Sequence, residues 1–374
     1  MATRVFTIDP DVGNAEAVRE AAACISAGGL VVMPTETVYG LAADVTHAAA
    51  LARLREVKGR DAADKPFTVH IGSRAAVDRF VPNLTGLARR LVQKAWPGPL
   101  TIVFSVADPR QAPVIRESSP THIPDLYREG TIGIRCPDDR IAADVLTQAG
   151  GTIVATSANP GGAPPPVTAD EALAALDGRV DLVLDAGRTR YARASTIVRI
   201  DGNDCTIVRE GILDQRAIRR LCSVNFLLVC TGNTCRSPMA AALLRRLLAQ
   251  RLGCGEAQLP DRGYQVESAG VGACDGVPAS EPAVAVMRDR GLDLAGHRSA
   301  ALTLEAIQRA DYIWTMTASH LRAVAAMSPA AVDRCRLLDD QEVEDPIGED
   351  ETVYARCADR IEQALRRLFE EISL

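Results

Sequence analysis

Aromatic side chains are scarce in this chain of 374 residues, at only 4% of positions. A surface that stacks nucleotide bases would need more of them. No run of 18 apolar residues occurs, so no membrane-crossing helix is expected. Residues 1–10 lack the basic and apolar regions of a secretory signal, and the expected compartment is the cytoplasm. Neither sign of charge forms a long run. The 42 basic and 48 acidic residues leave a formal charge of −6, which excludes a general polyanion-coating surface but leaves room for a local basic cleft. The ten cysteines follow neither a secreted framework nor a paired metal-binding spacing. They read as reduced thiols, and no protein-bound metal is expected.

What is present is length and alternation. A chain this long exceeds what one core usually supports, so two domains are expected, over residues 1–214 and 215–374. Residues 16–27 read as an amphipathic helix stopped by Gly28-Gly29. Apolar runs at 30–33, 67–71, 100–106, 131–135, 152–156 and 182–185 read as strands separated by helices, with a strand pair at 196–200 and 206–208. Residues 212–224 read as a short helical connector, followed by a strand at 226–229 and a helix at 238–251. Such alternation implies α/β folds in both halves, the second doubly wound around a parallel sheet.

The strand at 226–229 runs into Cys230-Thr-Gly-Asn-Thr-Cys-Arg236-Ser237-Pro238. Thiol-based cleavage of a phosphate needs a nucleophile, donors around three oxygens and an acid for the leaving group. A strand-to-helix turn provides the donors, because the first N–H groups of a helix lack internal partners and lie at its positive end. Cys230 is the candidate nucleophile, and Arg236 can grip two phosphate oxygens at once. Ser237 is expected as the helix cap with Pro238 at the first helical position, and its hydroxyl is placed to assist the departing thiolate. Gly232 is expected to supply unusual backbone geometry. Cys235 lies five residues after the nucleophile. It is open to two readings, a protective disulfide with Cys230 or an ordinary loop residue.

With those residues in view, residues 225–374 resemble the low-molecular-weight tyrosine phosphatases, a family that includes bacterial protein-arginine phosphatases. Glu267-Ser-Ala-Gly270, Gly291-Leu-Asp293, His297-Arg-Ser299 and Met316-Thr317 add to the likeness. The resemblance makes Thr231, Gly232, Asn233, Thr234, Cys235 and Ser237 the phosphate loop. It also makes Asp345, in Asp345-Pro346, the general acid. Tyrosine-specific members carry an apolar residue in mid-loop and an aromatic one after Asp-Pro. This chain has Thr234 and Ile347-Gly348, which favours phosphoarginine over phosphotyrosine in a protein substrate. Thioredoxin-coupled arsenate reductases share the loop, but they need two further neighbouring cysteines, and Cys335 and Cys357 are far apart in sequence.

The first half offers no thiol, triad or carboxylate pair. Pro34-Thr-Glu-Thr-Val-Tyr-Gly40, Lys58-Gly-Arg60 and Lys65 bring hydroxyls and cations, joined by His70, Thr131, Arg135, Ser157, Asn159 and Arg209 near strand ends. Such groups bind polyanions and act by positioning and charge neutralisation. Together with Trp96-Pro-Gly-Pro-Leu-Thr101, Thr156-Ser-Ala-Asn159 and Ser195-Thr-Ile-Val198, these strings resemble the YrdC-type threonylcarbamoyl-AMP synthases over roughly residues 10–212. The resemblance implies a twisted mixed-sheet domain joining L-threonine, bicarbonate and ATP, with Mg²⁺ accompanying the nucleotide. The product would pass to threonylcarbamoyl-transferase proteins acting on tRNA. By position, Thr37, His70, Arg135, Ser157 and Ser195 would contact threonine or its carbamate. Arg60, Lys65, Thr131, Asn159, Thr168 and Arg209 would contact ATP. Residues 111–129 read as an insertion able to form a lid. The alternative reading of this half is a double-stranded-RNA-binding module without catalysis.

Overall fold

A computed structural model describes residues 2–9, 14–59, 67–117, 121, 123–370 and 372. The chain divides into two compact units, Met1–Cys222 and Ser223–Leu374.

Among the described residues the first unit is a mixed sheet of ten strands: β1 (Arg4–Thr7), β2 (Val31–Met33), β3 (Gly40–Asp44), β4 (Thr68–His70), β5 (Leu100–Ser105), β6 (Thr131–Arg135), β7 (Ile153–Ser157), β8 (Leu182–Asp185), β9 (Thr196–Asp201) and β10 (Asp204–Arg209). Their order is β1-β8-β2-β3-β7-β4-β6-β5-β9-β10. The central strands are apolar on both faces, as a sheet covered on both sides requires. The first helix, Ala15–Ser26, begins where the Asn14 side chain accepts from the N–H groups of Glu16 and Ala17, and it stops before Gly28 at φ 83°. β1 and β3 are additions to the strands expected from sequence. β3 follows the threonine-rich loop directly and is fully buried, so its apolar run merges with the loop motif in the sequence.

The described part of residues 111–129 is packed into the first unit rather than standing over the sheet as a free lid. Among the described part, Val114, Ile115, Leu126 and Tyr127 are buried in the main core, and the Tyr127 hydroxyl donates to the Phe80 carbonyl at 2.8 Å. An Arg55–Asp125 ion pair at 2.6 Å pins the segment further.

The second unit is a parallel sheet of β11 (Val224–Cys230), β12 (Tyr264–Gly270), β13 (Tyr312–Thr315) and β14 (Cys335–Leu337), ordered β12-β11-β13-β14. Strand order reverses at β11, and a doubly wound sheet binds ligands beyond the carboxyl end at such a switch point. Phe226, Leu228 and Trp314 pack on one face with the helices Arg236–Leu252 and Glu351–Glu370, while Leu227, Val229 and Ile313 fill the other.

The division between units lies after Cys222 rather than at 214/215. The connector is the helix Gln215–Cys222, whose Ile218 is 3% exposed and belongs to the first core. Each unit contains one of the two tryptophans, Trp96 and Trp314, both buried. In single-tryptophan variants, Ile218→Ala is expected to cost about 2 kcal/mol or more by emptying a buried site. The urea midpoint reported by Trp96 should fall while that reported by Trp314 stays. A shift confined to Trp314 would return this helix to the second unit.

Candidate functional sites

In the first unit, strand register gathers the polar residues. β4 and β6 run parallel with His70 opposite Arg135, and Thr101 of β5 faces Arg135 from the other side. Gly40 pairs with Ser157, Leu100 with Thr196, and Arg209 with Ile197. One end of the sheet therefore opens into a cavity of 430 Å³ lined by His70, Arg135, Ser157, Asn159, Ser195 and Arg209, with Lys58 and Thr101. That size suits a nucleotide-sized or smaller ligand.

The cavity is electropositive. Among the described residues Lys58, Arg135 and Arg209 line it and no carboxylate does. Arg135 donates to Thr37 Oγ1 at 2.7 Å and pairs with Glu36 Oε2 at 2.9 Å, with side-chain exposures of 6% and 0%. Its Nε–H is buried without a partner among the described residues, which leaves a donor for an anionic ligand. Thr37 is wholly buried behind Arg135 and outside the lining, so its hydroxyl supports the arginine. Lys58 Nζ donates to the carbonyls of Ser157 at 3.0 Å and Asn159 at 2.6 Å, and burial lowers its pKa to about 8. Arg209 donates to the Ser195 carbonyl at 2.8 Å, and Ser195 Oγ lies 3.1 Å from Thr101 Oγ1. His70 Nδ1 faces the Thr68 carbonyl at 3.1 Å; a carbonyl only accepts, so Nδ1 carries the proton and Nε2 is the acceptor. Burial and then the Arg135 charge push the His70 pKa down to about 3, so the ring is neutral near pH 7.

Two expected ligand contacts lie elsewhere. Thr131 stands at the opposite end of β6 from Arg135, roughly 13 Å along the strand, and its hydroxyl donates to the Arg128 carbonyl. Thr168 caps the helix Ala169–Leu176 by accepting from Glu171 N at 3.3 Å, as the Thr-x-x-Glu spacing allows. Neither lines the cavity. Arg60 and Lys65 fall outside the described residues. Glu36 and Lys58 are additions to the expected site: Lys58 was legible as a cation, whereas the burial of Glu36 depends on a partner 99 positions away.

In the second unit β11 delivers Cys230 to the carboxyl edge of the sheet, opposite Gly270 of β12. A Cβ on Gly270 would sit 2.4 Å from the Thr231 carbonyl oxygen, so glycine is required for the next loop to approach. That approach lets Val271 N and Gly272 N donate to the carbonyls of Cys230 and Thr231 at 2.9 and 3.0 Å. The left-handed residue of the cysteine loop is Asn233 at φ 54°, not Gly232. Asn233 tolerates it because its amide is fully engaged: Nδ2 donates to Ser237 Oγ at 2.8 Å and Ser268 Oγ at 2.9 Å, while Oδ1 accepts from Ala300 N at 2.8 Å. His297 Nε2 donates to the Asn233 carbonyl at 2.7 Å.

Ser237 is not the helix cap, because the helix begins at Arg236, two residues earlier than expected, with Cys235 at the cap position. The Ser237 hydroxyl accepts from Asn233, so its own proton points to Cys230 Sγ, 2.9 Å away. The sulfur also accepts from Asn233 N at 3.2 Å. Cys230 is 2% exposed. Cys235 turns elsewhere, donating to Ser280 Oγ at 3.3 Å and meeting the Tyr354 hydroxyl at 3.2 Å, and both thiols are free. Thr234 is half-buried, with its carbonyl accepting from Ser280 N. Arg236 donates through Nη1 to the Val343 carbonyl at 3.0 Å and through Nη2 to Thr231 Oγ1 at 3.2 Å and to Asp345 Oδ2. Its Nε–H is buried without a partner among the described residues. The loop thus presents a thiol, an unpaired guanidinium donor and an adjacent carboxyl group, which is the inventory for transfer of a phosphoryl group to sulfur. Cys335 and Cys357 pack on opposite faces of the sheet, so no relay of thiols is assembled from them.

Comparison with known proteins assigns the two halves separately. A family model described as telomere recombination, Sua5/YciO/YrdC, matches residues 23–211. One described as low molecular weight phosphotyrosine protein phosphatase matches residues 225–374. A putative threonylcarbamoyl-AMP synthase of Mycobacterium tuberculosis (strain ATCC 25618 / H37Rv) is 34% identical over 60% of this chain and 97% of its own length. A protein-arginine-phosphatase of Geobacillus stearothermophilus is 39% identical over 39% of this chain and 94% of its own length. The solved structure of a doubly substituted variant of Pyrococcus abyssi Sua5 is 22% identical, with a TM-score of 0.50 over 89% of this chain and 98% of that one, a likeness of fold alone.

The Glu36–Arg135 pair gives the first site its testable feature. Removing one member of a buried pair strands the other charge, at a cost of about 3 kcal/mol or more. Glu36→Gln is therefore expected to lower the urea midpoint reported by Trp96. An unchanged midpoint would show that the pair does not hold Arg135.

Proposed function

Since residues 23–211 belong to the Sua5/YciO/YrdC family and residues 225–374 to the low-molecular-weight phosphotyrosine protein phosphatases, we propose that this chain is a bifunctional enzyme. The first unit makes threonylcarbamoyl-adenylate from L-threonine, bicarbonate and ATP, releasing pyrophosphate, for modification of tRNA. The second removes phosphoryl groups from proteins by way of Cys230.

The cavity, lined among the described residues by Lys58, Arg135 and Arg209 and by no carboxylate, carries the first assignment. A carbamate oxygen attacks the α-phosphate, and the accumulating charge is met by Lys58, Arg209 and the unpaired Nε–H of Arg135. Neutral His70 offers Nε2 as an acceptor, and Ser157 and Ser195 supply hydroxyls for the threonine moiety. Mg²⁺ enters with the ATP phosphates as part of the substrate, and among the described residues no carboxylate lines the cavity. Arg60 and Lys65 complete the ATP contacts, and the transferase partners and tRNA act after the product leaves. A cytoplasmic setting suits these substrates, and among the described residues no helix is long and apolar enough to cross a membrane.

In the second unit the Cys230 sulfur attacks phosphorus while the bond to the leaving group breaks. Asp345 gives that group its proton. Asp345 then takes a proton from water as the P–S bond breaks, and the Ser237 hydroxyl, which faces the sulfur, receives the returning thiolate. Phosphate takes the Arg236 Nε–H and Nη2–H, and Asp345 yields its place on the guanidinium as the ligand binds. Phosphoarginine is the preferred substrate. Half-buried Thr234 and the 66%-exposed Ile347 supply a small polar wall and an aliphatic one in place of the aromatic clamp that suits a phenyl ring. The Geobacillus relative, a protein-arginine-phosphatase, supports that preference.

Incubation with threonine, bicarbonate, Mg²⁺ and ATP is expected to release pyrophosphate only when threonine is present. No pyrophosphate release, with or without threonine, would favour the RNA-binding module without catalysis. For the second unit, Cys230→Ser is expected to abolish turnover, and wild-type enzyme to cleave phosphoarginine faster than phosphotyrosine peptides, with Thr234→Ile narrowing the gap. A wild type that prefers phosphotyrosine would overturn the arginine assignment.

A further inference from the structure

His320 takes no part in either reaction as set out above, yet its ring is built into the cysteine loop. It follows Thr317, the cap of the helix Ala318–Met327, and is 3% exposed. Its Nε2 lies 2.9 Å from Thr231 Oγ1 and its Nδ1 lies 2.9 Å from Thr317 Oγ1. Arg236 Nη2 lies 3.2 Å from the same Thr231 oxygen.

The direction of these bonds follows from what each group can do. A guanidinium only donates, so Thr231 Oγ1 accepts from Arg236. The Thr231 proton must then leave in another direction, and the protein acceptor within reach is His320 Nε2. A ring that accepts at Nε2 carries its proton on Nδ1 and donates it to Thr317 Oγ1. The Thr317 proton passes in turn to Ser319 Oγ at 2.7 Å. The sequence Arg236, Thr231, His320, Thr317, Ser319 is closed only if the imidazole is neutral. Burial and then the Arg236 charge lower the His320 pKa to about 4, against the opposing influence of Asp345 and Glu342, so the neutral form is present near pH 7.

We propose that His320 is a positioning residue of the phosphatase: through the Thr231 hydroxyl it holds Arg236 so that the unpaired Nε–H faces the incoming phosphate. Without the imidazole acceptor, the Thr231 proton is free to turn toward the guanidinium, where it meets N–H groups and repels them. Arg236 then loses one of its three fixed points, the others being the Val343 carbonyl and Asp345. This inference rests on the phosphatase assignment.

The test uses the full chain, with phosphoarginine and p-nitrophenyl phosphate as substrates and inorganic phosphate as a competitive inhibitor. Rates are referred to folded protein, measured from the urea transition reported by the buried Trp314, so that unfolded protein does not enter the comparison. His320→Ala is expected to lower kcat about tenfold and weaken phosphate inhibition about tenfold, the scale of one hydrogen bond to a charged network. His320→Gln, which can present an amide oxygen near the Nε2 position, should recover most of both. Thr231→Val should reproduce the alanine loss, and adding His320→Ala to it should cost nothing more. Values for His320→Ala within twofold of wild type would overturn the proposal. So would a loss that glutamine leaves unrelieved, or a full second loss in the double variant. A wild type inactive on both substrates would instead remove the phosphatase assignment itself.

Discussion

Strand register is the constraint on which both sites depend. Side chains alternate across a strand, so a one-residue slip would carry a strand's functional group to the other face of the sheet. In the first unit the pairings of His70 with Arg135, Thr101 with Arg135 and Gly40 with Ser157 are therefore as much part of the site as the groups themselves. In the second, β11 ends level with β12, and this places the Cys230 carbonyl where Val271 N can reach it. The buried apolar faces enforce these registers. Slippage would expose residues such as Val69, Ile134 and Val154, which are almost completely buried.

Both sites handle anions, and each pairs an arginine with a carboxylate, but the pairs differ in permanence. Glu36 and Arg135 are shielded, at 0% and 6% side-chain exposure. Separating them would leave two charges in a medium that solvates them poorly. Arg135 is thereby a fixed wall, and it still keeps one N–H for a ligand. Asp345 is 37% exposed beside Arg236 at 4%. Water can take over the solvation of that carboxylate, so the contact is cheap to exchange. In the proposed phosphatase mechanism Asp345 leaves its arginine, carries a proton and returns, and this weaker arrangement suits that cycle. The first site uses no moving acid and can bury its carboxylate.

The Cys-x5-Arg loop, the strand before it and the helix after it were legible in the sequence because they are local and each residue type has a physical reason to be there. The alternation of strands and helices was legible for the same reason, with β6 and β8 at the expected bounds. Local logic also produced the errors. Ser-Pro after a loop reads as cap and first turn, yet the helix begins two residues earlier, at Arg236, and Ser237 turns to the sulfur. Gly232 reads as the flexible point, but Asn233 takes the left-handed backbone, because contacts with Ser268 and Ala300 reward its side chain there. Thr168 was already a capping signal, and Thr131 shares a strand with Arg135 but sits at its far end.

What sequence spacing could not show is how the charged groups are completed from afar. Arg236 reaches Val343 and Asp345 across 107 and 109 positions, and Thr231 reaches His320 across 89. Arg135 meets Thr37 across 98. Asp345 apart, which its Asp-Pro pair marks as the acid, no periodicity or motif encodes such partners, since loops of that length close at nearly the same entropic cost whatever their exact span. The partners are selected by the fold, after the sheets have brought their strand ends together. A buried donor left unmatched there would cost about 1–3 kcal/mol, so the completing groups are as constrained as the ones that do the chemistry. Glu36 and His320 are two such fold-dependent acceptors, and Lys58 finds its two carbonyls, those of Ser157 and Asn159, 99 and 101 positions away.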